Sequence, residues 1–255
     1  MLLGLRDLNA DFYSTPSAGN LLNSTFGIGH SLAQTGVNGP SIFPTAAPAI
    51  TFKHVFRFPI YLKSGLFNAQ AGDPSNSSGT RVPLGLDYGF LGVTEIGYER
   101  EKDSKPFKIG VGAWKYSQSV SAIDSNRPNG ENAGTYYLFD IGITQSASVF
   151  FRHGFASEVY NSYSSSTEVG FVVTGVFPGR ADDQLSIGLA AAEMSRDAIT
   201  INGLPEIERV IELGYRFEAG RGVSLSPDVQ YVFSPSAQAG IGRAVVGGIR
   251  IEANF

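Results

Sequence analysis

The sequence predicts an all-β fold, a transmembrane antiparallel up-and-down β-barrel with about twelve strands. Charged residues make up only 16% of the chain, against roughly 25% in a soluble domain, yet no apolar run approaches the ~20 residues of a membrane-spanning helix. Apolar and polar residues instead alternate along many short segments, which is typical of strands with one face toward lipid and one toward a wet interior. Short and long connections also alternate along the chain, as they do in outer-membrane barrels.

Alternation defines the strands in chain order. The two weakest candidates come first, at residues 3–12 and 50–56. The next nine are residues 58–66, 94–99, 107–114, 137–144, 149–152, 168–174, 185–192, 207–218 and 223–233. Pro227 lies inside the last of these, which weakens its assignment as a central strand. The final segment, 246–255, is the clearest, because Ile249, Ile251, Ala253 and Phe255 fall on one face and Arg250, Glu252 and Asn254 on the other.

The connections predicted between these strands fall into two groups. The short ones lie at Arg57 and at residues 101–105, 146–147, 178–183 and 219–222, and the long ones at 14–47, 70–91, 118–135, 157–166, 194–205 and 234–243. Within the first long connection, residues 17–32 are compatible with a short helix or with a loop folded inward. Aromatic residues near the strand ends, among them Phe58, Tyr136, Tyr231 and Phe233, favour interfacial girdles.

Several function classes fit poorly. The chain has no cysteine, so a disulfide scaffold and a thiolate metal site are excluded. A net charge of −4 argues against a nucleic-acid partner. His30, His54 and His153 lie on separate segments without metal-ligand spacing, and no nucleophile elbow is present. We therefore expect no enzyme activity, no cofactor and no metal.

Several motifs occur in an order that points to one family. They are residues 149–154 (VFFRHG), 175–183 (GVFPGRADD) followed by a Gly-Leu strand, 212–216 (ELGYR), 225–235 (LSPDVQYVFSP), and 248–250 (GIR) with a terminal Phe255. Near the start, residues 4–9 (GLRDLN) with Phe12 and Phe26 are similar to an internal strand and loop of the same family. Taken together, these motifs resemble the carbohydrate-selective porins of the OprB family.

This resemblance implies passive, carbohydrate-selective diffusion across the bacterial outer membrane. The solutes would be mono- or oligosaccharides and other small hydrophilic molecules. The implied partners also include outer-membrane lipid and the barrel-assembly machinery, which would recognise the C-terminal strand through Phe255 as a membrane-assembly signal. The oligomeric state stays open. The alternatives are a non-conducting outer-membrane barrel that acts in adhesion or wall anchoring, and a soluble β-sandwich lectin.

The domain prediction is a single barrel domain over residues 1–255. Family members close as barrels of roughly sixteen strands and begin with a signal peptide. Residues 1–7 have no basic region followed by an apolar core, so they do not form a signal peptide. We therefore expect that about four N-terminal strands and the signal peptide are missing; the alternative is a complete barrel of about twelve strands.

The candidate site consists of polar residues that parity places toward the interior. These pore-lining or sugar-contact candidates are Lys63, Glu95, Trp114, Arg152, Glu212, Arg216, Asp228, Gln230, Arg250 and Glu252. The last six lie on three successive strands and could form one charged ladder. For each candidate the alternative is a structural role, in which inward charges pair to hold the wall, and Trp114 could instead anchor the wall at the membrane interface. Arg180, Asp182 and Asp183 are assigned to stabilisation of a turn.

Overall fold

The chain forms one antiparallel sheet in which each strand pairs with its sequence neighbours. The computed structural model describes residues 1–73, 75–76, 81–85, 87–102, 105–220, 222–237 and 240–254. Within them the strands are β1 (Leu2–Arg6), β2 (Ala47–Val55), β3 (Ile60–Asn68), β4 (Phe90–Lys102), β5 (Lys105–Val120), β6 (Gly130–Gly142), β7 (Ala147–Ala156), β8 (Tyr163–Thr174), β9 (Gln184–Met194), β10 (Ile207–Gly220), β11 (Val223–Phe233) and β12 (Ala244–Ala253). The twelve strands confirm the predicted number.

The first predicted strand, residues 3–12, is wrong beyond Arg6. The Asp7 side chain accepts a hydrogen bond at 2.7 Å from the backbone N–H of Asn9. This cap starts a helical turn, α1 (Leu8–Asp11), because it satisfies a backbone donor that has no partner within the helix. The chain therefore leaves the sheet at Asp7.

The two faces of the sheet have opposite character. Glu95 and Arg152 have no exposed surface, whereas Ile96 is 48% exposed and Ile249 60% exposed. Charged groups are thus buried on the inner face while large apolar side chains cover the outer face. Such an inverted arrangement suits a wall whose outer face contacts lipid. In the part of the chain that the structure describes, no helix is both long enough and apolar enough to cross a membrane.

The connections lie on two rims. The short ones follow β2, β4, β6, β8 and β10, and we call their side the short-turn rim. The long ones follow β1, β3, β5, β7, β9 and β11, on the long-loop rim; the longest spans residues 7–46. The predicted alternation is present except around β8, where the connection before the strand (residues 157–162) is shorter than the connection after it (residues 175–183). In outer-membrane barrels the long loops face the cell exterior.

Aromatic residues cluster on the outer face near both rims. Phe58, at the short-turn rim, is 71% exposed. Near the long-loop rim, the rings of Tyr231 and Phe233 stand 4.7 Å apart. Tyr136, which the sequence assigned to a girdle, is instead turned inward and buried, because its hydroxyl donates to the carboxylate of Glu95.

The turn between β8 and β9 is held by one carboxylate. The Nε of Arg180 donates to Oδ2 of Asp183 at 2.5 Å, and the hydroxyl of Tyr215 donates to the same oxygen. The backbone N–H of Gly175 donates to the carbonyl of Asp183 at 2.8 Å. These bonds match the turn-stabilising role predicted for Arg180 and Asp183.

We expect the Asp183→Asn variant to lose stability at neutral pH and to resemble the parent in acid. Burial raises the pKa of the Asp183 carboxyl, but hydrogen bonds from Tyr215 and Arg180 outweigh burial and hold the pKa below its usual range. The ionised form therefore stabilises the fold above about pH 4 and this contribution is lost as the pH falls through the folded-state pKa.

Urea unfolding in detergent at several pH values measures this difference. The control is Asp182→Asn, which changes an exposed carboxylate of the same turn. A gap between parent and Asp183→Asn that stays constant from pH 7 to pH 3 would refute the assignment.

Candidate functional site

The long connection between β1 and β2 folds into the interior of the curved sheet. This inserted segment, residues 7–46, contains α1, two 3₁₀ helices (Pro16–Asn20 and Ser24–Phe26) and a second helical turn, α2 (His30–Ala33). It packs against the inner faces of β7, β8, β9 and β10. Both features proposed for residues 17–32, a short helix and an inward fold, are therefore present.

Two apolar clusters fix the inserted segment to the wall. In the first, the Tyr13 ring lies 4.3 Å from that of Tyr136. In the second, the Phe26 ring lies 6.2 Å from that of Phe150, beside Leu21. Each fully buried apolar side chain contributes about 1.5–3 kcal/mol to stability, and the segment supplies several of the side chains in both clusters.

A glycine on the wall makes room for the second cluster. A Cβ atom at Gly188 of β9 would lie 2.6 Å from Cδ1 of Leu21 and 2.6 Å from the ring of Phe26. Real Cβ atoms do not approach so closely. The inward-facing glycine therefore marks a position where another part of the chain comes near the strand.

Glu95, on β4, is the centre of a buried polar network. Its Oε2 accepts hydrogen bonds from the Tyr136 hydroxyl at 2.8 Å and from the backbone N–H of Tyr13 at 2.9 Å. Its Oε1 accepts one from the Tyr61 hydroxyl at 2.9 Å. The carboxylate thereby joins two strands of the wall to the inserted segment.

Two lysines beside Glu95 also bind the inserted segment. The Nζ atoms of Lys63 and Lys108 lie 3.4 and 3.9 Å from Oε1 of Glu95. Lys63 donates to the carbonyl of Asp11 at 2.7 Å, and Lys108 donates to the carbonyl of Ser14 at 2.5 Å. Each ammonium group thus contacts both the carboxylate of Glu95 and a backbone carbonyl of the segment.

Arg152, on β7, binds the backbone of the segment at three points. Its guanidinium donates to the carbonyls of Gly27 at 2.6 Å, Thr25 at 3.0 Å and Tyr13 at 3.2 Å. The carboxylate of Glu168, on β8, lies 3.6 Å away. Arg152 therefore joins the start and the middle of the segment to each other and to the wall.

Glu212, on β10, binds the segment as a hydrogen-bond acceptor, whereas Arg152 binds it as a donor. Its carboxylate accepts hydrogen bonds from the backbone N–H groups of Leu22 and, at 2.9 Å, of Asn23. The Asn23 side chain donates to Gln230 at 2.9 Å, and Gln230 donates to Asp228 at 2.7 Å. Part of the predicted ladder thus contacts the segment instead of a second strand charge.

The rest of the predicted ladder lies nearer the short-turn rim and is partly exposed. Arg216 and Glu252 form an ion pair at 3.5 Å, and Arg250 stands 3.8 Å from the other oxygen of Glu252. Arg250 also donates to the carbonyl of Gly19 at 3.0 Å and, more weakly, to that of Leu21 at 3.4 Å. Opposite charges do cross strands here, as the ladder requires.

Trp114 occupies neither of its two predicted surroundings. Its side chain is 2% exposed, so it faces neither open water nor lipid. The ring packs edge-on against Tyr116 with centroids 6.0 Å apart, and the Tyr116 hydroxyl pairs with Thr35 of the inserted segment at 3.0 Å. The inward parity was right, but the segment covers the ring.

The ten candidates fall into two sets. Lys63, Glu95, Trp114, Arg152, Glu212 and Asp228 are buried, whereas Arg216, Gln230, Arg250 and Glu252 keep part of their surface exposed. Sequence reasoning missed Glu168, although its parity with Gly170 placed it inward. It also missed Tyr13, which lies in an irregular segment that gives no periodic signal. Phe255 lies outside the described residues.

Comparison with known proteins gives a family and a fold. A sequence model described as "Carbohydrate-selective porin, OprB family" matches residues 1–255. A high-pH structure of Pseudomonas putida OprB is similar with a TM-score of 0.81 and 17% identity, over 99% of this chain and 69% of that chain. The outer-membrane channel DcaP of Acinetobacter baumannii is similar with a TM-score of 0.59 and 10% identity, over 87% of this chain and 65% of that chain. No curated protein matches. At such low identities the structural likeness shows the fold alone, and it confirms the outer-membrane barrel type.

Proposed function

The chain belongs to the OprB family of carbohydrate-selective porins, non-enzymatic channels of the outer membrane, and we propose that sugars pass along the inner face of β10, β11 and β12. The predicted family, membrane location and channel function are confirmed. The path and its residues are our proposal.

The partial exposure of the Arg216–Glu252 pair carries this proposal. The two side chains are 27% and 42% exposed, while Glu95 and Arg152 on the opposite part of the inner face are fully covered by the inserted segment. A solute must meet groups that water can reach. Among the ten candidates only Arg216, Gln230, Arg250 and Glu252 meet this condition, and all four lie on β10, β11 or β12.

The chemistry of these groups suits a polyhydroxylated solute. A guanidinium donates up to five hydrogen bonds and a carboxylate accepts several, so a neighbouring pair can bind adjacent hydroxyls in place of water. Because the groups are paired already, each exchange with a hydroxyl changes the net free energy only slightly. Weak binding of this kind permits passage, and the inserted segment limits the width of the path.

We expect the double variant Arg216→Met and Glu252→Met to lose sugar selectivity. Liposome swelling with glucose, compared with an uncharged non-sugar solute of similar size, measures this as a ratio of rates. Loss of one or two hydrogen bonds to the sugar should lower the ratio about threefold to tenfold. Removing both members of the pair avoids leaving either of them as an unpaired charge.

The matched control replaces Lys53 and Glu99 by Met. These residues form another exposed ion pair, at 3.4 Å, on the inner face of β2 and β4. An equal loss of selectivity in both double variants would contradict a sugar path along β10, β11 and β12.

The proposed partners include lipid and the barrel-assembly machinery. Exposed apolar residues on the outer face, such as Ile249 and Ile251 of β12, support contact with lipid acyl chains.

We propose that the terminal strand with Phe255 is the assembly signal. Deletion of Phe255 should then lower several-fold the amount of heat-modifiable protein in outer membranes, whereas Phe177→Ala, at an exposed turn, should leave it unchanged.

A further inference from the structure

Two arginines flank one phenylalanine on the outer face of the sheet. Arg209 of β10 lies directly opposite Phe233 of β11. The register of β11 with β12 pairs Tyr231 with Val245, and its continuation places Arg243 on the other side of Phe233. Neighbouring strands stand about 4.8 Å apart, so the two arginine Cα atoms are separated by roughly 10 Å across the ring.

This trio lies at the long-loop rim. β11 ends at Phe233 and is followed by the long connection 234–243. Arg209 and Arg243 are both exposed, and the Cζ atom of Arg243 lies 5.6 Å from the centroid of the Phe233 ring. In an outer-membrane barrel this height corresponds to the outer leaflet.

Within the described part of the chain, neither arginine has a carboxylate partner. Arg243 makes a long hydrogen bond, 3.5 Å, to the hydroxyl of Tyr231. Glu193 on the adjacent strand β9 also faces outward, but it lies opposite Ile207 and accepts a hydrogen bond from Ser165 of β8 at 2.9 Å. The two cations are thus left for an anion supplied from outside the chain.

Below the arginines the outer face is apolar. Ile211, Leu213, Val229 and Val245 are all exposed there. A ligand that fits both features carries a phosphate at the membrane surface and acyl chains beneath it. Guanidinium groups bind phosphate through two parallel hydrogen bonds.

We propose that Arg209 and Arg243, on either side of Phe233, bind a phosphate group of a phosphorylated glycolipid of the lipid A type in the outer leaflet. The acyl chains of this lipid lie against the apolar wall beneath. The site is separate from the sugar path, because it lies on the opposite face of the same strands, and it does not depend on the proposed function.

Native mass spectrometry of the refolded chain in detergent tests this site with diphosphoryl lipid A as the probe. We expect one retained lipid A per chain, and a dissociation constant at least about tenfold higher for the double variant Arg209→Gln and Arg243→Gln. The two Arg→Lys changes should restore part of the affinity. The control is Lys115→Gln, which removes an outward-facing cation that already pairs with Glu131 at 2.7 Å.

Further arms identify the source of the phosphate. Dephosphorylated lipid A should bind as weakly to the parent as lipid A binds to the double variant, and millimolar inorganic phosphate should not displace the lipid. Arg243 precedes β12, so Arg243→Gln alone keeps the test valid if the double variant fails to refold. Equal lipid A binding by parent and arginine variants, or displacement by free phosphate, would overturn the proposal.

Discussion

The Glu95→Gln variant should unfold at a much lower urea concentration than the parent chain. Glu95 has no exposed surface, and its carboxylate lies 3.4 and 3.9 Å from the ammonium groups of Lys63 and Lys108. Removal of one charge from a buried ion pair leaves the partner uncompensated and costs about 3–5 kcal/mol. We expect the free energy of unfolding to fall by at least this amount, because two lysines lose their counter-charge together.

Hydrogen bonding adds to this loss. The carboxylate accepts from the hydroxyls of Tyr61 and Tyr136 and from the backbone N–H of Tyr13. The side-chain amide of the variant would have a single acceptor oxygen for these three donors, and its NH₂ group would face donors. Of these three donors, Tyr13 is the one that belongs to the inserted segment, so the segment should loosen before the strands do.

The measurement is urea unfolding of the refolded chain in detergent, followed by the fluorescence of Trp114. This is the only tryptophan of the chain, and it is buried in the cluster beside the inserted segment. The matched control is Glu99→Gln, the same change on the same strand at an ion pair whose side chains are 50% and 41% exposed. It should cost less than about 1 kcal/mol. Equal losses in the two variants would show that Glu95 is not a central contact.

Local patterns were sufficient to predict much of the wall. Strand β11 was predicted with the limits that the structure shows, Val223–Phe233, because alternation is a property of adjacent residues. Pro227, which argued against a central strand, pairs with Ile249 of β12. On its other side, the described pairing of β11 with β10 includes no partner for Pro227, because the pair Gly214–Asp228 is followed by Phe217–Leu225. The strand therefore continues where a missing N–H is tolerated.

Parity predicted which side chains face inward but not what they contact. Arg152 was placed on the inner face correctly, yet its partner Gly27 lies 125 residues earlier in the chain. No periodicity exists in residues 7–46 from which such a contact could be derived. The strand glycines carried a usable signal, because Gly188 has no side chain where Leu21 and Phe26 approach. Alternation alone assigns this glycine to the inner face and does not indicate that another part of the chain packs against it.

The Arg152→Met variant should release the inserted segment and widen the path. The guanidinium of Arg152 donates to the carbonyls of Tyr13, Thr25 and Gly27, which belong to two separate turns of the segment. A methionine replaces the unbranched stem of the arginine but donates nothing, so three buried carbonyls and the carboxylate of Glu168 lose a cationic partner. The expected cost is about 3–5 kcal/mol, and it falls on the segment because β7 remains paired with both neighbouring strands.

Amide hydrogen exchange of residues 13–27 measures the release directly. Since each 1.4 kcal/mol corresponds to roughly a tenfold change in an equilibrium, exchange there should become on the order of 100-fold to 1,000-fold faster, while the strand amides change little. Liposome swelling should accelerate most for solutes larger than a monosaccharide, because the segment limits the width. Arg152→Lys should give an intermediate result, as one ammonium group cannot reproduce the planar fork of the guanidinium.

A control separates this effect from a general loss of charge. Arg127→Met removes an exposed arginine whose ion pair with Asp197 spans 3.4 Å on the long-loop rim. It should leave both the exchange of residues 13–27 and the swelling rates at parent values. Suppose instead that Arg152→Met unfolds the strands together with the segment. The segment would then be an integral part of the wall's stability, and the width of the path could not be adjusted by this residue without loss of the fold.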